Sequence, residues 1–114
     1  MKVVVKRVGK NPTVKTISDN NSLPNCLTDL QTIVGGYIEE IKYPVSGMED
    51  MLLICNEEGK QKQLAPNFFL NRKVIVGDVC FVNVRENENG ENEYCSLTKP
   101  QINFLLKKYC TKRS

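Results

Sequence analysis

The stretch Ile33-Val34-Gly35-Gly36-Tyr37-Ile38-Glu39 constrains this chain more than any other. Leu23, Leu27, Leu30 and then Ile33 or Val34 recur at helical spacing, so a short amphipathic helix over residues 23–34 arrives at its left end. Tyr37 to Tyr43 alternate as a strand does and leave at its right, closed by Pro44. A helix that stops on Gly35, in the left-handed conformation glycine tolerates, must pass at once into that strand. The joint fixes how the two elements pack. It also excludes a phosphate-binding glycine loop of the usual polarity, in which the glycines precede a helix whose N-terminal N–H groups hold the anion. Here the helix comes first.

The rest of the chain is laid around this joint. Residues 2–8 are rich in valine, Gly9-Lys10-Asn11-Pro12 is a turn, and residues 13–17 alternate, so the chain opens on a hairpin. Ser22 suits a helix N-cap, and Pro24 is tolerated in the first turn. The apolar run Met51-Leu52-Leu53-Ile54-Cys55 reads as a central strand covered on both faces. Asn56-Glu57-Glu58-Gly59 then closes a hairpin onto a short polar edge strand over residues 60–64. Ala65-Pro66-Asn67 interrupts the pattern, and Phe68-Phe69-Leu70 reads as a buried turn or a single helical turn. Residues 74–84 are strongly β with a bend or bulge at Gly77-Asp78. A polar tip over 86–92 returns as a short strand over 93–96. Thr98 and Gln101 form a capping box for a last helix, with Leu97 and Ile102 at the staple positions. Its buried face is Ile102, Leu105, Leu106 and Tyr109.

The sum is an α+β fold: one small domain over residues 1–114, a mainly antiparallel sheet of about six or seven strands, two helices, and a basic C-terminal tail over 109–114. The 114 residues, 40% apolar and 25% charged, suit one soluble core. No apolar run approaches the roughly 18 residues that cross a bilayer. The start has no signal-peptide core either, so a cytoplasmic protein is expected.

The chemistry is defined by what is missing. There is no histidine, and with it go the usual general base near neutral pH and any Cys-His or Ser-His nucleophile. The five cysteines (Cys26, Cys55, Cys80, Cys95, Cys110) are widely spaced without a C-x-x-C pair, so neither a zinc site nor a disulfide framework is expected. Cys55 and Cys80 sit in apolar strands, as structural thiols do. Adjacent carboxylates such as Glu39-Glu40 point to opposite faces of a strand. The acidic loop 86–93 lacks the spacing of an EF-hand. The expectation is a protein that is not an enzyme and carries no cofactor and no metal.

Charge is uneven. Residues 1–17 and 99–114 each carry five bases and no acid, while 18–98 carry six bases against thirteen acids. If the first strand and last helix lie together, Lys2, Lys6, Arg7, Lys107, Lys108 and Lys112 make a positive face for nucleic acid. Aromatic residues for base stacking are few: Tyr109 reads as core and Tyr43 as the one exposed ring.

The ordered motifs Gly35-Gly36-Tyr37-Ile38-Glu39, Cys55-Asn56-Glu57-Glu58-Gly59-Lys60, Pro66-Asn67, Val76-Gly77-Asp78 and Ser96-Leu97-Thr98 carry a family resemblance. Over residues 1–108 the chain resembles a family of small proteins of unknown function from phages and mobile elements of Gram-positive bacteria. The resemblance implies one domain carried by a mobile element and transfers no activity. Those motifs cluster at turns, where Asn56, Glu57, Asn67 and Asp78 could line one polar pocket, with Arg72 and Lys73 as partners for an anionic ligand. The expected function is a non-enzymatic binding module acting on a host protein or a small nucleotide signal, as in counter-defence by sequestration. The alternative is a nucleic-acid accessory protein using the basic ends.

Overall fold

The computed structural model describes residues 1–18, 25–48 and 51–110. In chain order the elements are β1 Lys2–Lys6, β2 Thr13–Thr16, α1 Asn25–Val34, β3 Ile38–Tyr43, β4 Met51–Asn56, β5 Pro66–Leu70, β6 Lys73–Val76, β7 Val79–Glu86, β8 Asn92–Cys95 and α2 Lys99–Lys108. The described residues make an α+β domain of two helices and eight strands, and every strand pairing among them is antiparallel. The proposed cap Ser22, Pro24 beside it, and Lys112 in the tail lie outside the described residues.

Six strands form the main sheet in the order β2-β1-β7-β4-β3, with β8 also pairing β7. The eight residues of β7 make it the hub: its first half pairs β1, its second half pairs β8, and β4 lies along its other side. Successive residues of a strand face opposite sides, and here both sides are covered. Val3, Val5, Ile54, Cys80 and Val82 pack with Cys26, Leu30, Ile33 and Val34 of α1. Val4, Met51, Leu53, Phe81 and Val79 pack with Leu105 of α2 and Ile75 of β6. Double coverage explains why β1, β4 and β7 read as continuous apolar runs.

The helix-to-strand joint forms as its glycines require. Gly35 has φ +81°, and the N–H groups of Gly35 and Gly36 both donate to Gln31 O, at 2.8 and 3.1 Å. The face α1 buries is set by Cys26, Leu30, Ile33 and Val34; Leu27, expected in that face, is exposed. At the other end of the chain both halves of the Thr98–Gln101 capping box are present. Gln101 does more than cap: its side chain is fully buried, and Nε2 donates to Asn83 Oδ1 at 3.4 Å.

Three further expectations change. Residues 60–64 are not an edge strand but a run of turns, with Lys62 N–H donating to Glu58 O and Leu64 N–H to Gly59 O. Phe68-Phe69-Leu70 is strand rather than turn, because Asn71 and Arg72 both take positive φ (49° and 73°) and close a two-residue hairpin between β5 and β6. That turn is usually written Asn-Gly, and an arginine in its second place hides it. Tyr43 is buried, stacked edge-on against Phe81, and its hydroxyl lies 2.5 Å from that of Tyr109. The exposed rings are Phe69 and Tyr37.

Candidate functional site

The six residues that sequence reasoning gathered into one pocket divide into three places. Asn67 and Asp78 meet the start of the chain. Asn67 Nδ2 donates to the carbonyls of Lys6 and Gly77, both at 2.8 Å, and its Oδ1 accepts from Lys6 Nζ at 3.0 Å. Asp78 accepts from Arg7 Nη1 at 3.0 Å and from the Val8 backbone N–H at 2.9 Å. Gly77, at φ +80°, carries the chain from the small β5–β6 sheet into the main sheet at this knot. These side chains are spent on holding the two sheets together. Arg72 sits in the tip of the β5–β6 hairpin.

Asn56, Glu57 and Lys73 do converge. They line a cleft of about 260 Å³ between the β3–β4 end of the main sheet and β6. Its floor is apolar, with Ile41, Cys55 and Ile75; its polar groups are Glu39, Glu57, Lys60, Gln61 and Lys73. Within the cleft Asn56 is a builder of the wall. Its side chain is buried, with Nδ2 donating to Val34 O at 3.1 Å and Oδ1 accepting from Glu58 N–H at 2.8 Å. It thus ties the end of α1 to the turn that carries Glu57 and Lys60. Gly36 is needed for this contact, since a Cβ there would lie 2.9 Å from Asn56 Nδ2. Gly59 is needed on the opposite wall, where a Cβ would come within 2.8 Å of Val76.

Sequence reasoning missed Glu39, Ile41, Cys55, Lys60 and Ile75 as cleft residues. The one available signal was strand alternation, which puts Glu39 and Ile41 on one face and Glu40 on the other. Glu40 accordingly accepts the hydroxyl hydrogen bond of Tyr94 on the α1 side.

Cys55 offers the cleft a thiol but no nucleophile. Burial first, and then the Glu39 carboxylate, push it up to about 11, while Lys73 pulls weakly the other way. At neutral pH it is a protonated, apolar group. Cys80, in the core beside α1, is pushed up to about 12, again mainly by burial. Among the described residues no group of three or more Cys, Asp or Glu stands together to hold a metal ion, and no helix is long and apolar enough to cross a membrane. A larger hollow of about 530 Å³ at the β7–β8 tip, lined by residues such as Arg85, Glu86 and Asn87, is the concavity of a polar turn. Asn87 Oδ1 there accepts from the N–H groups of Asn89 and Glu91.

The positive face is thinner than the charge count implied. Lys6 is only 4% exposed, with its ammonium bound to Arg7 O and Asn67 Oδ1. Burial lowers its pKa, partly offset by Asp78. Arg7 is paired with Asp78. Lys2, Lys107 and Lys108 remain exposed, and α2 does pack on β1.

A family model described as Domain of unknown function (DUF3846) matches residues 1–110. The chain belongs to this family. No curated protein and no solved structure matches it. In this DUF3846 domain the motif residues therefore have two uses: Gly35, Gly36, Asn67, Gly77 and Asp78 shape the backbone, while Glu57 and Lys60 rim the cleft.

Proposed function

We propose that this protein is a non-enzymatic binding module that holds a small ligand in the β3–β6 cleft. The observation that carries the proposal is the convergence of two lysines and two carboxylates, from three separate elements, over an apolar floor. An apolar floor with a few directed polar groups is the usual make-up of a ligand site, and about 260 Å³ falls just below the common range of roughly 300–1,000 Å³. The fit is to a ligand no larger than a mononucleotide, with an anionic group for Lys60 and Lys73 and donor groups for Glu39 and Glu57. The cleft's one thiol, Cys55, donates to Glu39 Oε1 at 4.0 Å, but burial and that carboxylate push it up to about 11 and keep it protonated, which favours holding over turnover. Following the motif resemblance, the setting we propose is a phage or mobile element; from Lys60 and Lys73 as partners for an anion, the ligand we propose is a host nucleotide signal, met in the cytoplasm.

Thermal unfolding in the presence of mononucleotides and cyclic mononucleotides tests this, with cyclic dinucleotides, too large for the cleft, as the control expected to do nothing. A cognate ligand at a hundred times its Kd adds about 2.7 kcal/mol to stability. For a domain of this size that is a rise in Tm of roughly 10 °C. Lys60→Glu and Lys73→Glu should each abolish it. No stabilisation by any member of the panel would reject the nucleotide form. Of the described cations assigned to it, the nucleic-acid reading keeps Lys2, Lys107 and Lys108 exposed, while Arg7 is exposed but paired with Asp78 and Lys6 is buried, so it is the weaker of the two.

A further inference from the structure

β3 lies at the end of the main sheet, and among the described residues no strand pairs with its outer side. It runs six residues in unbroken register with β4. Glu57 N–H donates to Tyr37 O at 2.9 Å, which fixes the hydrogen-bonding phase of this pair. Antiparallel ladders alternate, so Tyr37, Glu39, Ile41 and Tyr43 bond inward to β4. The N–H and C=O groups of Ile38, Glu40 and Lys42 therefore aim outward as a straight row. A row of this kind is a template for another chain.

We infer that the occupant is a second copy of this protein, added antiparallel through a two-fold axis at Ile41. The charges on the edge choose the partner and the register. In a two-fold pair centred on Ile41, Glu40 of each protomer faces Lys42 of its partner, twice over, and Ile41 faces Ile41. The outward groups of Glu40 and Lys42 then close four ladder hydrogen bonds. Moving the axis to Glu40 sets two glutamates face to face, and moving it to Lys42 does the same with two lysines. Opposite charges directly across a ladder stabilise it and like charges destabilise it, so one register survives. Glu40 and Lys42 are both exposed, on the same face of the strand, and pairing with the partner's Lys42 draws Glu40 from the Tyr94 hydroxyl it accepts from within the protomer. Pro44, lacking an N–H, ends the ladder where the strand ends. The interface is isologous, as closed dimers require. It is also small, so association is weak and reversible. Glu39 and Ile41 belong to the cleft as well, so the axis sets two clefts side by side. The dimer does not depend on what those clefts bind.

Sedimentation velocity from micromolar to millimolar protein should show the wild type passing from monomer to dimer. Lys42→Glu alone and Glu40→Lys alone should each weaken self-association at least tenfold. Mixed together they restore opposite charges at both positions and should form a heterodimer. Amide exchange gives a reading on the unaltered chain: the Glu40 and Lys42 amides should gain protection as concentration rises, while Glu39 and Ile41 stay protected throughout. A wild type that stays monomeric, a Lys42→Glu variant that dimerises as well, or Glu40 and Lys42 amides that exchange freely in the dimer would overturn the inference.

Discussion

Asn56→Ala separates the fold from the cleft more sharply than any other single change. The side chain makes two hydrogen bonds, to Val34 O and from Glu58 N–H, at a position only 6% exposed. Each such bond contributes about 1 kcal/mol net, and each partner left buried and unpaired costs about 1–3 kcal/mol. Alanine removes both bonds and leaves a carbonyl at the end of α1 without its donor. We expect a loss of about 3 kcal/mol, a large part of the roughly 5–15 kcal/mol that holds a domain of this size. In urea, with m of about 1–3 kcal/mol/M, the midpoint should fall by roughly 1.5 M with m unchanged. Asn56→Asp makes the test directional. Aspartate keeps the acceptor for Glu58 N–H but sets a carboxylate oxygen against Val34 O in place of the donor. At neutral pH it should be worse than alanine, and it should recover on acidification as the new carboxyl takes a proton and can donate. An aspartate variant as stable as the alanine variant at neutral pH would refute the assignment of Nδ2 to Val34 O. An alanine variant that loses less than about 1 kcal/mol would show that water replaces both bonds.

Further outcomes follow from other contacts. Gly35→Val should cost about 1–2 kcal/mol by chemical denaturation, because no neighbour crowds a Cβ there and the loss is that of forcing a side chain to φ +81°. A stable Gly35→Val protein that no longer binds ligand would mean that the joint serves the cleft directly. Stability should fall as pH rises above about 9, since Cys55 and Cys80 stay protonated in the fold to about 11 and 12 while their unfolded thiols ionise near 9. The native state then holds the extra protons, so the slope is negative; urea midpoints across that range check it, and Cys80→Ala should flatten it. Asp78→Asn should cost less than about 1 kcal/mol, because the Arg7 pair is exposed. Asp78→Ala should cost more, since it also strips the Val8 N–H of its acceptor.

How much of this was legible depends on the range of the forces involved. Local patterns carried the helix that ends on Gly35, the capping box at Thr98, the opening hairpin and the apolar central strand. Each rests on backbone conformation or on side chains within a few positions of one another. The β5–β6 hairpin was illegible because its turn residues, Asn71 and Arg72, hold positive φ without a glycine to announce it. Of the polar motifs, Asn56 to Gly59 and Gly77-Asp78 do lie at turns, whereas Pro66-Asn67 opens β5 at a bulge, and the partners of all of them could not be read. Asn67 reaches Lys6 and Asp78 reaches Arg7 across most of the chain's length, and these bonds take both side chains out of the cleft.

The joint of α1 and β3 was set by the sequence alone, since a glycine at C′ followed by an alternating run leaves the backbone one way to go. The absence of histidine likewise settled, without any fold, which acid–base chemistry the chain lacks. Tertiary structure decided everything that depends on which distant residues meet. It buried Lys6 and Tyr43, it made Asn56 the tie behind the cleft, and among the described residues it left the outer row of β3 without a partner strand. Those outcomes follow from sheet order, which arises from hydrophobic burial on both faces at once and so has no address in any short stretch of residues.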